Sequence, residues 1–421
     1  MDAGIAVMLG LLFVLLFAGV PVGVCMIFPI FALVAITPIT SVEFILSSLY
    51  TGVANYTMLA IPFFILAGDF MNVGGLSRRL VNIANSLVGG ITGSLGAVAV
   101  LACMFFGAVS GSSPATVAAI GAIMLPEMVR NGYNKFYAIG LITVAGSLGV
   151  IVPPSIPLVI YGVTMSVSIS DLFISGIVPS VMIGGVLIGI NWFYCKKAGL
   201  VGNHKFSMKE FLVALRDGWS ALLMPIIILG GIYGGIFTVT EASVVATVYS
   251  IIVSIGYKQL TFKSLFKEFK DTAVFCGGTL LTLAPSAALG QVFVVSGISS
   301  AINDFFIGMH SEFLVIICVF IILFIAGMFI QTTPMICILG PILNGVISQT
   351  GMTTLEFGII MDIALCVAFC TPPMALNLFV SSSMTGVSID KISKPMLPFL
   401  FGLIAVLLIL MFFPGLCSIL L

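Results

Sequence analysis

Charge is what this chain has least of. Only 7% of its 421 residues are Asp, Glu, Lys or Arg, against about 25% in soluble globular proteins. Too little polar surface remains to cover an apolar interior of this size, so lipid must serve as solvent for much of the chain. The 15 basic and 15 acidic residues cancel, which argues against nucleic acid as a partner. With just two histidines, His204 and His310, and nine cysteines that form no CxxC pair, a metal or haem centre is not expected. The cysteines sit in apolar runs and read as small packing residues. No GxxxxGK[ST] is present, so no P-loop hydrolyses ATP. Neither GxSxG nor HExxH offers a catalytic centre. No Lys or Arg precedes Arg78, and without a basic n-region the first hydrophobic run reads as a retained span rather than a signal peptide.

What the chain has is hydrophobic length. Apolar residues make up 60% of it, and the mean hydropathy is +1.30. The runs are too long and continuous for the alternating strands of a membrane barrel. An all-α polytopic membrane protein follows. Apolar segments fall at about 5–36, 56–72, 86–108, 136–152, 156–166 and 171–195, then 218–237, 240–257, 272–295, 313–330, 357–370, 374–386 and 395–421. The first, interrupted at Pro21, is either one kinked helix or two short ones. Several others are too short to cross ~30 Å of hydrocarbon, which predicts re-entrant hairpins and interrupted helices. Nine of the 15 basic residues flank one block: Lys196, Lys197, Lys205, Lys209 and Arg216 before it, Lys258, Lys263, Lys267 and Lys270 after. The positive-inside rule puts both flanks in the cytoplasm only if Leu222–Gly256 crosses twice or lies partly in the interface.

The chain also contains itself twice. Pro114 and Pro334 are 220 positions apart, and the proline pairs Pro153-Pro154 and Pro372-Pro373 are 219 apart. Val167-Ser168-Ile169 recurs 220 later as Val387-Ser388-Ile389, and Gly75-Leu76-Ser77 recurs 222 later as Gly297-Ile298-Ser299. A repeat near half the chain length is how many secondary transporters are built, and matching broken segments point to the binding site. The expected division is 1–200 and 201–421, with scaffold at about 1–55 and 210–270 and transport parts at about 56–195 and 272–421.

Three constellations carry possible chemistry. Ser110-Gly111-Ser112-Ser113-Pro114 suits a hairpin tip with a serine N-cap and a proline in the first helical turn; at membrane depth its free N–H groups suit an anion. The same residues make good turns outside a membrane, but Gln331-Thr332-Thr333-Pro334 repeats the layout. The proline pairs free carbonyls on the preceding turn. Gly149, Val152 and Pro153 with Ser110 and Ser113 form a first candidate Na⁺ cage; Gly327, Gln331, Thr332, Cys370 and Thr371 form the second. A packing kink is the alternative. Ser110, Ser112, Ser155, Thr333 and Asn377 are the candidate substrate contacts. Lastly, Asp69, Glu241 and Asp362 are acids in apolar surroundings, although Asp69 and Glu241 equally suit helix caps.

Taken together, Leu59–Asp69, Ser110–Ser113 with Ala115–Gly121, Ile151–Ile156, Gly235–Ala242 and Thr371–Pro373 with Asn377 resemble the large membrane (M) subunit of the tripartite ATP-independent periplasmic (TRAP) transporters along essentially the whole chain. The resemblance implies inverted repeats in an elevator-type fold like that of ion-transporter-superfamily carriers. It implies Na⁺-coupled symport of an organic acid such as sialic acid or a C4-dicarboxylate, multi-pass in the bacterial inner membrane. It implies two partners: a periplasmic substrate-binding protein and a small membrane (Q) subunit, expected as a separate chain because no further helical module precedes residue 1. The family commonly carries an acid where this chain has Gln331, which supplies only a neutral oxygen. Competing readings are a membrane-embedded lipid-modifying enzyme using Asp69 and Glu241, or a channel-like component; neither accounts for a duplicated tip and proline pair.

Overall fold

A computed structural model describes residues 3–200, 207–372 and 375–421. His204, Lys205 and the second proline of the later pair, Pro373, lie outside the described residues. Those described are helical, with no strand among them. Six helices are long and apolar enough to cross a membrane, or up to eight if each bent pair counts as one span.

The first apolar run is two helices, α1 (Ala3–Phe17) and α2 (Val22–Ile36). A methyl placed on Gly4 would strike Thr37, so α2 returns to the start of α1 as an antiparallel hairpin. α3 (Val42–Thr51) and α4 (Ala60–Val73) follow. Then comes α5 (Leu76–Val88), which buries Leu76, Leu80, Ile83 and Ala84 while Arg78 stays exposed. That stripe marks an interfacial helix. α6 (Ser94–Ser110) and α7 (Ser113–Arg130) make a hairpin. α8 (Lys135–Ala145), α9 (Leu148–Ile151) and α10 (Ile156–Met165) form an interrupted helix bent by 41°. α11 (Ile169–Ala198) closes the first repeat.

The basic block is a second hairpin, α12 (Met208–Tyr233) and α13 (Val239–Gly256). Tyr249 donates to the Ser220 carbonyl at 2.8 Å, and Tyr257 meets the Ser220 hydroxyl at 2.7 Å. The end of α13 therefore returns alongside the middle of α12, so the two helices run antiparallel. Both helices are long and apolar enough to cross a membrane.

The second repeat follows: α14 (Phe262–Val295), α15 (Ile298–Ile307), the hairpin α16 (Glu312–Gly327) and α17 (Thr332–Ile347), then α18 (Thr354–Phe369), α19 (Leu376–Thr385) and α20 (Ile389–Phe412), with a terminal turn α21 (Gly415–Ser418). Left-handed Gly75 and Gly297 precede α5 and α15 alike. Repetition extends to contacts. Met165 lies against Gly340, and Met384 against Gly121, with each partner shifted by 219.

The repeats are inverted, and α14 shows why. Thr272, in its first third, donates to Asp69 Oδ2 at 3.1 Å, close to the basic face; further along, Ala287 meets Gly52 at the end of α3, ahead of α4. α14 thus crosses away from that face and delivers α15 to the side opposite α5. α14 is also continuous where a boundary at 270–272 was expected, because no proline breaks it before Pro285. The other expected boundary, at 55–56, separates α4 from residues it is bonded to. Parallel to it, α13 donates from Thr240, Thr247 and Ser254 to the carbonyls of Tyr56, Phe63 and Phe70 at 3.4, 2.7 and 2.9 Å. Hydroxyls at heptad spacing join membrane helices where apolar side chains gain little from leaving lipid.

Candidate functional site

Each hairpin tip rests on the interrupted helix of its own repeat. In the first, α6 ends on buried Ser110, and Gly111 turns the chain at φ +56°, a conformation costly for a residue with a Cβ. Ser112 then caps α7, accepting from the Ala115 N–H at 3.5 Å. Below the tip, Pro153 and Pro154 supply no N–H to the Gly149 and Val150 carbonyls four residues earlier, and Val152 is extended.

Oxygens converge between these pieces. Ser110 Oγ lies 3.2 Å from Thr116 Oγ1, which donates to the Ser112 carbonyl at 2.8 Å. A methyl on Gly149 would sit 2.3 Å from Thr116 Oγ1 and 2.6 Å from the Ser112 carbonyl oxygen. The site thus needs glycine there. Of the residues expected in the first cage, Ser110 and Gly149 lie at this cluster, joined by the Ser112 carbonyl. Thr116 was missed. It lies one turn beyond Ser112 on the same helical face, a spacing that the small-residue run Ala115–Gly121 hid.

The second tip is more open. Gln331 is exposed and forms no side-chain cap on α17, whereas Thr332 is buried with its Oγ1 lacking a hydrogen-bond partner. An orphaned buried hydroxyl fits a site whose ligand supplies the missing contact. Thr371 Oγ1 folds back onto the Val367 carbonyl at 2.9 Å. Gly327 packs so closely that an added methyl would lie 2.7 Å from Ala368 Cβ, as one on Gly107 would lie 2.8 Å from Gly149 Cα. Thr333 is half-buried.

Two candidate substrate residues are already committed. Ser155 is buried and caps α10, accepting from Leu158 N–H at 3.4 Å. Asn377 is fully buried. Its Oδ1 accepts from Ser113 at 2.9 Å, and its Nδ2 donates to the Thr143 carbonyl at 3.2 Å and approaches Cys370 Sγ at 3.7 Å. Ser113 therefore points at Asn377, not into the oxygen cluster, and Cys370 offers its sulfur to the same network.

The acids separate. Glu241 is exposed and closes a capping box, accepting from Thr238 N–H at 2.8 Å and Thr238 Oγ1 at 2.9 Å. Asp69 sits at the other end of the parallel α4–α13 pair, roughly 20 Å away at 1.5 Å per residue, so the two form no shared catalytic centre. Asp362 is buried, with its Oδ1 unpartnered. No group of three metal-ligating His, Cys, Asp or Glu exists among the described residues.

Residues 9–416 match the family model of the tripartite ATP-independent periplasmic transporter, DctM component. The chain is 35% identical over 97% of its length to the isethionate TRAP transporter permease protein DctMQ of Oleidesulfovibrio alaskensis, spanning 65% of that protein. It is 33% identical to the C4-dicarboxylate TRAP transporter large permease protein DctM of Rhodobacter capsulatus, covering 97% of each chain. To the sialic acid TRAP transporter large permease protein SiaM of Vibrio cholerae it is 34% identical, over 95% of this chain and 94% of that one. Among solved structures, the YdaH transporter of Alcanivorax borkumensis shares the fold, with a TM-score of 0.66 at 13% identity, covering 88% of this chain and 87% of that one.

Proposed function

The chain belongs to the DctM component family of the tripartite ATP-independent periplasmic transporters, and on that footing we propose that it is the large membrane subunit of a Na⁺-coupled importer of organic acids. The observation that carries the reading is the duplicated contact of an oxygen-bearing tip with a proline-broken helix. Hydroxyl and carbonyl oxygens suit a small hard cation, and unwound backbone at membrane depth is tolerated where it lines a site. Ser110, Ser112, Thr116 and the Gly149–Pro153 carbonyls hold one Na⁺. Thr332, Thr371 and the carbonyls around Cys370 hold the other.

The similar proteins are named for isethionate, C4-dicarboxylates and sialic acid, each an organic anion at neutral pH. The N-termini of α7 and α17, with Ser112 and Thr333, face such an anion with positive helix ends. Bound Na⁺ adds the charge that a site without arginine needs. Delivery falls to a periplasmic binding protein, and a small membrane subunit completes the complex in the bacterial inner membrane, with the lysine-rich face cytoplasmic.

Transport follows if the tips and interrupted helices move as a body against a scaffold of α1–α4 and α12–α14. Reconstitution of this chain with and without its two partner proteins tests the assignment. Uptake of a radiolabelled organic acid should require all three. Robust gradient-driven uptake by this chain alone would refute it.

A further inference from the structure

We infer that Asn377 is a positioning residue that locks the first tip to the interrupted helix of the second repeat, so that the two ion sites fill cooperatively. The inference rests on the two-site reading above and deepens it. Its basis is a buried network that crosses between the repeats. α8 ends at Ala145, and the Ser147 N–H turns to the Val144 carbonyl; the Thr143 carbonyl is then met by Asn377 Nδ2 at 3.2 Å. The Thr143 hydroxyl lies 2.7 Å from Ser381 Oγ on α19, and Ser113 at the start of α7 donates to Asn377 Oδ1 at 2.9 Å. Cys370, at the break after α18, places its Sγ 3.7 Å from Asn377 Nδ2 and 3.8 Å from the Thr143 carbonyl. Ser113, Thr143, Cys370 and Asn377 are all fully buried.

One amide therefore joins the tip beside the first site to the broken end beside the second. Both Asn377 N–H groups are used and Oδ1 is occupied, so a substrate could reach it only by breaking a buried hydrogen bond, which is costly in such surroundings. Ordering either end through this link lowers the cost of ordering the other. That is positive coupling between sites without direct contact between ligands.

The test uses the complete transporter complex, purified, with NaCl titrated against choline chloride at constant ionic strength. Thermal unfolding reports Na⁺ binding, and initial uptake rates report function. Wild type should be stabilised with a Hill coefficient above 1. Asn377→Ala should bring that coefficient close to 1 and raise the half-saturating Na⁺ concentration at least about fivefold, while the substrate KM at saturating Na⁺ stays within about twofold. Ser113→Ala, which removes one hydroxyl, should shift both Na⁺ quantities in the same direction and serves if Asn377→Ala does not fold. An unchanged Hill coefficient with a raised substrate KM would overturn the inference and make Asn377 a substrate contact. Unchanged Na⁺ curves in both variants would overturn it as well. A wild type with no Na⁺ stabilisation would remove the two-site reading itself, an outcome read from the unsubstituted protein alone.

Discussion

The Thr247 hydroxyl on α13 donates to the Phe63 carbonyl of α4 at 2.7 Å, the middle rung of a three-step ladder between the two helices. Five residues on from Phe63, Gly68 touches the first tip: a methyl there would lie 2.9 Å from Ser110 Cα. In the proposed mechanism the seam between scaffold and carrier body runs between α4 and the first tip. Cysteine pairs across Thr247 and Phe63 should cross-link with uptake retained, whereas Gly68→Cys with Ser110→Cys should cross-link and stop uptake until reductant is added. Because Ser110→Cys alters the proposed ion site, reduced double-variant uptake sets the baseline. Full activity of the oxidised 68–110 pair would argue for a fixed core.

Thr116 is expected to act on Na⁺ and little else. Val keeps its volume and removes the hydroxyl, so Thr116→Val should raise the half-saturating Na⁺ concentration about tenfold, roughly one charge-assisted oxygen contact. Uptake titrated with Na⁺ at fixed substrate reads this; an unchanged Na⁺ curve would remove Thr116 from the site.

Glu241 and Thr238 predict the opposite pattern. Their capping box organises the start of α13, so Thr238→Ala should lower stability by about 1 kcal/mol. Glu241→Gln should leave substrate and Na⁺ dependence unchanged. Loss of transport by Glu241→Gln in a normally stable protein would restore a direct role for the acid.

Close packing at the mirrored glycines supplies another test. Gly107→Ala pushes a methyl against the Leu148 and Gly149 backbone, which cannot swing aside. A cost of about 1–3 kcal/mol is expected, measured as a fall in thermal stability, and Gly327→Val should behave similarly against Ala368. Wild-type stability in both would mean that the interrupted helices stand further from the hairpins.

Much of this was legible because prolines and hydroxyls in an apolar chain are conspicuous. Pro114, Pro153 and Pro334 marked the tips and the first break, and their spacing gave the repeat. Three features escaped for physical reasons. The ladder of Thr240, Thr247 and Ser254 joins positions 184 apart, outside the 220 repeat, so the repeat alone does not show that α4 is bonded to α13. Asn377 and Ser155 are polar residues at broken helices, which reads as ligand chemistry until their partners are seen. α14 runs past an expected boundary because a lysine-rich start and an apolar remainder resemble two segments, although nothing between them breaks a helix.

The most direct measurement is uptake into proteoliposomes holding this chain, its small membrane subunit and a loaded binding protein, with one gradient imposed at a time. An inward Na⁺ gradient should drive accumulation of the organic acid above equilibrium, while a proton gradient in choline buffer should not. Undiminished accumulation with K⁺ or choline in place of Na⁺ would contradict the Na⁺-coupled mechanism.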